Sequence, residues 1–235
     1  MINQAIIMGG GLSIRPYLNQ LKEVCNKNFT ILTNYAYKDF EGTFLCFQDR
    51  NFYVPDYAKN YERPDSPRHP DVYTELKTLP LIIGINRNGV ADYKLDNTIL
   101  LDKDYRSDLT GIFALKILKL LQFKGEIYLL GFDWTRRTNL PERDPNYNPR
   151  SDLQIHYYDT KHKGSGYVGY YENHNPDNLF KQFLNNEWQV YNVNLESNIN
   201  TFSKISYKQF FKQLPNKINN QDILREWVRE GLCIK

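Results

Sequence analysis

The chain has 235 residues, 41% hydrophobic and 24% charged, with a formal net charge of +3. That length suffices for one sizeable α/β core, and the near-balanced charge gives no strong signal for nucleic acid as a partner. No window reaches the ~18 apolar residues a membrane span needs, the amino terminus lacks a secretory pattern, and three scattered cysteines (25, 46 and 233) make no disulfide frame. Free thiols and a cytoplasmic location are expected. Eighteen tyrosines against two methionines are the compositional oddity. Tyrosine suits stacking on bases or sugars, while AT-rich coding, which raises Tyr, Asn, Lys, Ile and Phe together, accounts for the same bias without function.

Along the chain, the apolar run Gln4 to Met8 predicts a buried strand that empties into Gly9-Gly10-Gly11-Leu12-Ser13. Glycines let backbone N–H groups approach an anion, and a helix that follows aims its positive end at the same point. The turn is neither a dinucleotide fingerprint, since no further glycine follows Gly11 at that spacing, nor a P-loop, since Gly-Lys-Ser/Thr is absent. A tight strand-to-helix turn without a ligand is the bland alternative. Leu18, Leu21 and Val24 then fall at helical spacing over Pro16 to Val24, with Pro16 tolerable only in the first turn. Thr30 to Thr33 and Thr43 to Phe47 predict further strands, so the pattern is strand, helix, strand in a parallel sheet. Ligands of such sheets sit beyond the carboxyl ends of the strands, where Asn34, Gln48, Asp49 and Arg50 fall.

Arg63 to Pro70 is punctuated by proline and predicts a surface loop. Strands return at Leu79 to Ile85 and Thr98 to Leu101, with Asn86 to Gly89 as a turn between them. From Asp108 or Thr110 to Leu121, apolar residues wrap most of a helix surface, which predicts a buried helix ended near Gly125. Glu126 to Trp134 predicts a central strand that finishes at Gly131 and delivers Asp133 to the rim. Residues 135–174 are polar and long, the pattern of a loop-rich lid. Asn175-Pro176-Asp177 opens a helix carrying Leu179, Phe180, Phe183 and Leu184. Gln189 to Val193 predicts the last strand, and closing helices follow at Tyr207 to Leu214 and Asp222 to Arg229, within about 206–231. The whole of 1–235 is expected to form a single Rossmann-like α/β domain, its mostly parallel sheet flanked by helices.

The glycine turn, the Thr110-Gly111 helix start and the strand Tyr128-Leu129-Leu130-Gly131-Phe132-Asp133 together resemble a known superfamily. It holds the bacterial lipooligosaccharide sialyltransferases, flagellin-glycosylation factors and archaeal hydroxymethylpterin pyrophosphokinases. Asn192-Val193-Asn194 and Ile205-Ser206-Tyr207 are similar to the group's closing strand and helix. The resemblance implies that Gly9, Gly10, Gly11 and Ser13 meet nucleotide phosphate and ribose, and that Asn34, Gln48, Asp49 and Arg50 face base and sugar. It implies Thr110 and Gly111 at the nucleotide, with Arg106 as a charge partner, and Asp133 as the floor of the site. Where the sialyltransferases carry a histidine general base, this chain reads Gly166-Tyr167-Val168-Gly169-Tyr170-Tyr171.

Transfer of a sugar needs the leaving phosphate's charge stabilised and a proton taken from the acceptor hydroxyl. Arg106, Arg136, Arg137, Tyr167 and Tyr170 are available for the first task. His174, then His156, are the candidates for the second. No metal site is expected: His156 and His162 lack zinc spacing, and Asp102, Asp104 and Asp108 read as a solvated loop. The expected function is a glycosyltransferase using a CMP- or UDP-linked sugar and a hydroxyl acceptor, with no cofactor. The alternatives are an ATP- and Mg²⁺-dependent pyrophosphokinase of a small hydroxymethyl compound, or a nucleotide-binding protein without activity. Family members are often oligomeric, and the sequence leaves a homo-oligomer open.

Overall fold

The computed structural model describes residues 2–49, 72–87, 90–134, 175–184, 187–214 and 219–233. Eight strands form one sheet: β1 Gln4–Met8, β2 Thr30–Thr33, β3 Phe44–Cys46, β4 Ile82–Ile85, β5 Thr98–Leu101, β6 Gly125–Leu130, β7 Trp188–Asn192 and β8 Ser203–Lys204. Their order is β5-β4-β3-β2-β1-β6-β7-β8, and every neighbouring pair is parallel. The helices are α1 Leu18–Lys27, α2 Val72–Leu76, α3 Thr110–Leu120, α4 Pro176–Phe180, α5 Tyr207–Gln213 and α6 Gln221–Cys233. This is the helix-flanked, Rossmann-like α/β arrangement expected from the strand and helix periodicities.

Side-chain alternation divides the core. Ala5 and Ile7 of β1 pack on one face with α3 and α6, whereas Ile6 and Met8 pack on the other with Leu21 and Cys25 of α1 and Phe210 of α5. Parallel crossovers are right-handed, so links running in opposite directions along the sheet must use opposite faces. The links from β1 out to β5 bury Leu21, Ala36, Leu76 and Val90 on the second face. The links from β5 to β6 and out to β8 bury Ile112, Phe180 and Phe202 on the first. The direction changes at β1, with β2 on one side and β6 on the other. Open α/β sheets bind ligands at the carboxyl edge of such a switch point.

Several expectations change. Pro16 lies not in the first turn of α1 but inside a 3₁₀ helix, Leu12–Tyr17, that precedes it. Proline has no N–H and fixes φ, so the tighter helix absorbs it before the α-helix begins. Strands β4 and β5 are parallel, so the link between them is a crossover, and it carries a 3₁₀ turn at Ala91–Tyr93. The strand at Trp188–Asn192 is not the last: β8 pairs beside it. The last helix runs on to Cys233, with Leu224, Val228 and Leu232 as its buried stripe. Among the described residues, no helix is long and apolar enough to cross a membrane. The segment expected as a lid, 135–174, lies outside the described residues.

Candidate functional site

The carboxyl rim of the sheet is assembled where β1 and β6 end. Gly9 donates its N–H to the Leu130 carbonyl at 2.7 Å and Gly11 donates to the Gly131 carbonyl at 2.9 Å. Gly131 turns with φ +70°, which glycine allows without strain. A Cβ on Gly9 would lie 2.8 Å from the Gly131 carbonyl oxygen, so the absence of a side chain lets the two strand ends touch.

Asp133 is the centre of the rim's hydrogen bonding. Its Oδ2 accepts from the Ser13 backbone N–H at 2.8 Å, and its Oδ1 accepts from the Ser13 hydroxyl at 2.5 Å and the Asn194 amide at 2.9 Å. Since Ser13 gives its only hydroxyl proton to Asp133, the Tyr207 hydroxyl, 3.2 Å away, donates to Ser13. Burial pushes the Tyr207 hydroxyl pKa up, the Ser13 hydrogen bond opposes this, and the Asp133 charge adds to the rise. Tyr207 therefore stays a neutral donor. Its ring stacks on Tyr17 with centroids 4.1 Å apart.

The amino end of α3 closes the first-face side. Thr110 donates its hydroxyl to the Asn34 side-chain carbonyl at 3.2 Å. Asn34 immediately follows β2 and has φ +50°, a conformation asparagine tolerates better than most residues. Gly111 sits directly against Phe132: a Cβ would meet the ring at 2.4 Å. The same ring lies 3.1 Å from the position of a Cβ on Gly9. The triglycine bend and the Thr110-Gly111 helix start thus flank a single aromatic ring. Gln48, beyond β3, accepts the Ser107 N–H on its side-chain carbonyl at 2.8 Å and so holds the approach to α3.

Gly9, Gly11, Ser13, Asn34, Thr110, Gly111 and Asp133 are therefore joined by direct contacts, with Gly10 inside the bend and Gln48 bordering it. Asp49 is exposed at the end of β3, near enough for its charge to add to the burial that raises the Tyr35 pKa. Arg106 is exposed, and its carbonyl accepts a hydrogen bond from Lys116. Arg50, His156, Tyr167, Tyr170 and His174 lie outside the described residues, as do Arg136, Arg137, His69 and His162. Among the described residues, no group of three His, Cys, Asp or Glu side chains is arranged to hold a metal ion.

No family model and no curated protein matches this chain. Among solved structures, it is similar to the MAf glycosyltransferase from Magnetospirillum magneticum AMB-1, with a TM-score of 0.61 and 15% identity. The match covers 98% of this chain and 37% of that one. The likeness shows a shared fold.

The asparagines at and after the end of β7 were not singled out as site residues. Asn192 and the Ser197 hydroxyl donate to the Phe132 carbonyl at 3.1 and 2.7 Å, and Asn198 donates to the Trp134 carbonyl at 2.7 Å. They fix the backbone on which Asp133 is carried. The signal that marked Asn34, a polar residue just beyond a strand, is also present at Asn194.

Proposed function

We propose that this chain is a glycosyltransferase-like enzyme that binds a nucleotide-sugar, CMP- or UDP-linked, across the β1–β6 switch point and passes the sugar to a hydroxyl acceptor. The observation that carries the reading is the shared Phe132 ring: Gly9 and Gly111 pack against it together, so two glycine-bearing turns meet at one place on the carboxyl rim. Fold likeness to a protein described as a glycosyltransferase supports the reaction class by analogy.

In the reaction, the bond between the anomeric carbon and the phosphate oxygen breaks while the acceptor oxygen bonds to that carbon. The acceptor's proton passes to a base, for which His174 and then His156 remain the candidates. Charge grows on the departing phosphate. The first turn of α3 carries no acidic residue and no side-chain cap, so its N–H groups and dipole are available to that charge. The Arg106 guanidinium and the Tyr167 and Tyr170 hydroxyls are proposed to assist. Free thiols at Cys25, Cys46 and Cys233 suit the reducing cytoplasm.

The test is a binding panel of CMP-, UDP- and GDP-sugars and ATP read by calorimetry, followed by Asn34→Asp. Aspartate also tolerates φ +50° and keeps the acceptor for Thr110, but it adds a negative charge beside the proposed phosphate path. At least one nucleotide-sugar is expected to bind, and the variant to bind it about tenfold more weakly with an unchanged melting temperature. No binding by any sugar nucleotide refutes the proposal.

A further inference from the structure

The bend from Gly9 to Ser13 looks, in sequence, like a cradle for phosphate, yet most of its amides are already committed. Gly9 and Gly11 donate to the Leu130 and Gly131 carbonyls, and Ser13 donates to the Asp133 carboxylate. Asp133 stands where a bound anion would stand. It caps, from the loop after the neighbouring strand β6, the 3₁₀ helix Leu12–Tyr17, whose own cap residue Gly11 has no side chain to offer. It is 7% exposed, and hydrogen bonds from two separate segments, at Ser13 and Asn194, hold it in position. Gly11 is pressed against it: a Cβ there would fall 2.5 Å from Oδ2.

We infer that Asp133 is a resident anion that bars phosphate from the triglycine bend, so that the ligand group lodged there is uncharged and bears hydroxyls. This rests on the nucleotide-sugar reading and reverses the expected orientation within it. A second anion beside a fixed, largely buried carboxylate is repelled without water to screen it. A sugar hydroxyl is welcome for the same reason. The carboxylate offers about four acceptor positions and three are filled. The Gly10 and Leu12 amides make no hydrogen bond among the described residues, which leaves two donors for hydroxyl oxygens. Ribose and the transferred sugar both present such hydroxyls.

The experiment follows the Gly10 and Leu12 amide resonances of the ¹⁵N-labelled full chain. The probes are inorganic pyrophosphate, cytidine, uridine and free monosaccharides, added separately. The wild type is expected to show shifts at both amides with nucleosides or monosaccharides and none with pyrophosphate. Shifts with nucleosides assign the bend to ribose, and shifts with monosaccharides alone assign it to the donor sugar. Asp133→Asn is expected to admit pyrophosphate at these amides with at least about a tenfold gain in affinity. Asp133→Glu, which keeps the charge, is expected to exclude it. Pyrophosphate shifting both amides in the wild type overturns the inference, whether or not the variants fold. A folded Asp133→Asn that gains nothing overturns it too, as does a wild type whose two amides respond to no hydroxyl-bearing probe. The donor reading fails separately, when no nucleotide-sugar binds anywhere on the chain.

Discussion

Ser13 has one hydroxyl proton and spends it on Asp133, so every other contact of that hydroxyl must be as an acceptor. That fixes the order Tyr207 to Ser13 to Asp133, a chain of donors ending on a carboxylate. Hydrogen bonds to charged groups contribute about 1.5–3 kcal/mol, so Ser13→Ala is expected to lower stability by that amount in urea unfolding. Tyr207→Phe removes a neutral contact and is expected to cost about 0.5–1.5 kcal/mol. The double variant should lose less than the sum, because each hydroxyl polarises the next. Strict additivity would mean that the chain does not act as a unit. Ser13 and Asp133 were legible as polar residues at a strand end and a glycine turn. Their mutual bond was not, since 120 positions separate them and no local pattern encodes such a pairing.

The connection between α4 and β8 shows how a short element is held by side chains rather than by length. Asp177, in the first turn of α4, accepts hydrogen bonds from the N–H groups of Asn200 and Thr201 and from the Thr201 hydroxyl. Burial pushes its carboxyl pKa up, but the donors from Thr201 and Asn200 outweigh that and hold it below the usual 3.8. A carboxyl with a lowered folded value adds stability above its unfolded pKa and loses it as pH falls through the folded one. Asp177→Asn is therefore expected to be about 1 kcal/mol less stable near neutrality. Urea midpoints across pH should show that gap closing below 3.8. A gap constant with pH would mean that charge has no part in the clamp. The Asn175-Pro176-Asp177 helix start was readable from capping chemistry, and the structure confirms Asn175 as the cap. The two-residue strand β8 was not, because so short a segment shows no alternation. For the same reason of scale, the apolar strands β4 and β5 were found and a mostly parallel sheet was expected, but that these two strands are neighbours was not read. That pairing depends on the crossover, which strand composition does not reveal.

At the scale of the molecule, the sheet separates two cores, and each holds one buried cysteine. Cys46 of β3 lies in the core beneath α3 and α6, and Cys25 of α1 lies in the core on the opposite face. Burial pushes both thiol pKa values far up, opposed at Cys25 by a hydrogen bond with Thr30, so neither is a reactive thiolate in the folded chain. Cys233, at the end of α6, is exposed. Alkylation followed by mass spectrometry therefore reports the opening of each layer from within. Cys233 is expected to label without any unfolding. Cys25 and Cys46 should label only through unfolding, at rates that rise together with urea and match the global unfolding free energy. Equal protection follows if the sheet, contributing Ile6 and Met8 to one core and Ala5 and Ile7 to the other, makes both cores parts of one cooperative unit. The layers cannot then separate without breaking β1 out of its pairing with β2 and β6. Faster labelling of Cys25 than of Cys46 at low urea would instead show the α1 layer lifting off alone. The rim would then lose the 3₁₀ segment that carries Ser13 while α3 and Asn34 stayed in place, and the domain would not be the single unit expected of it.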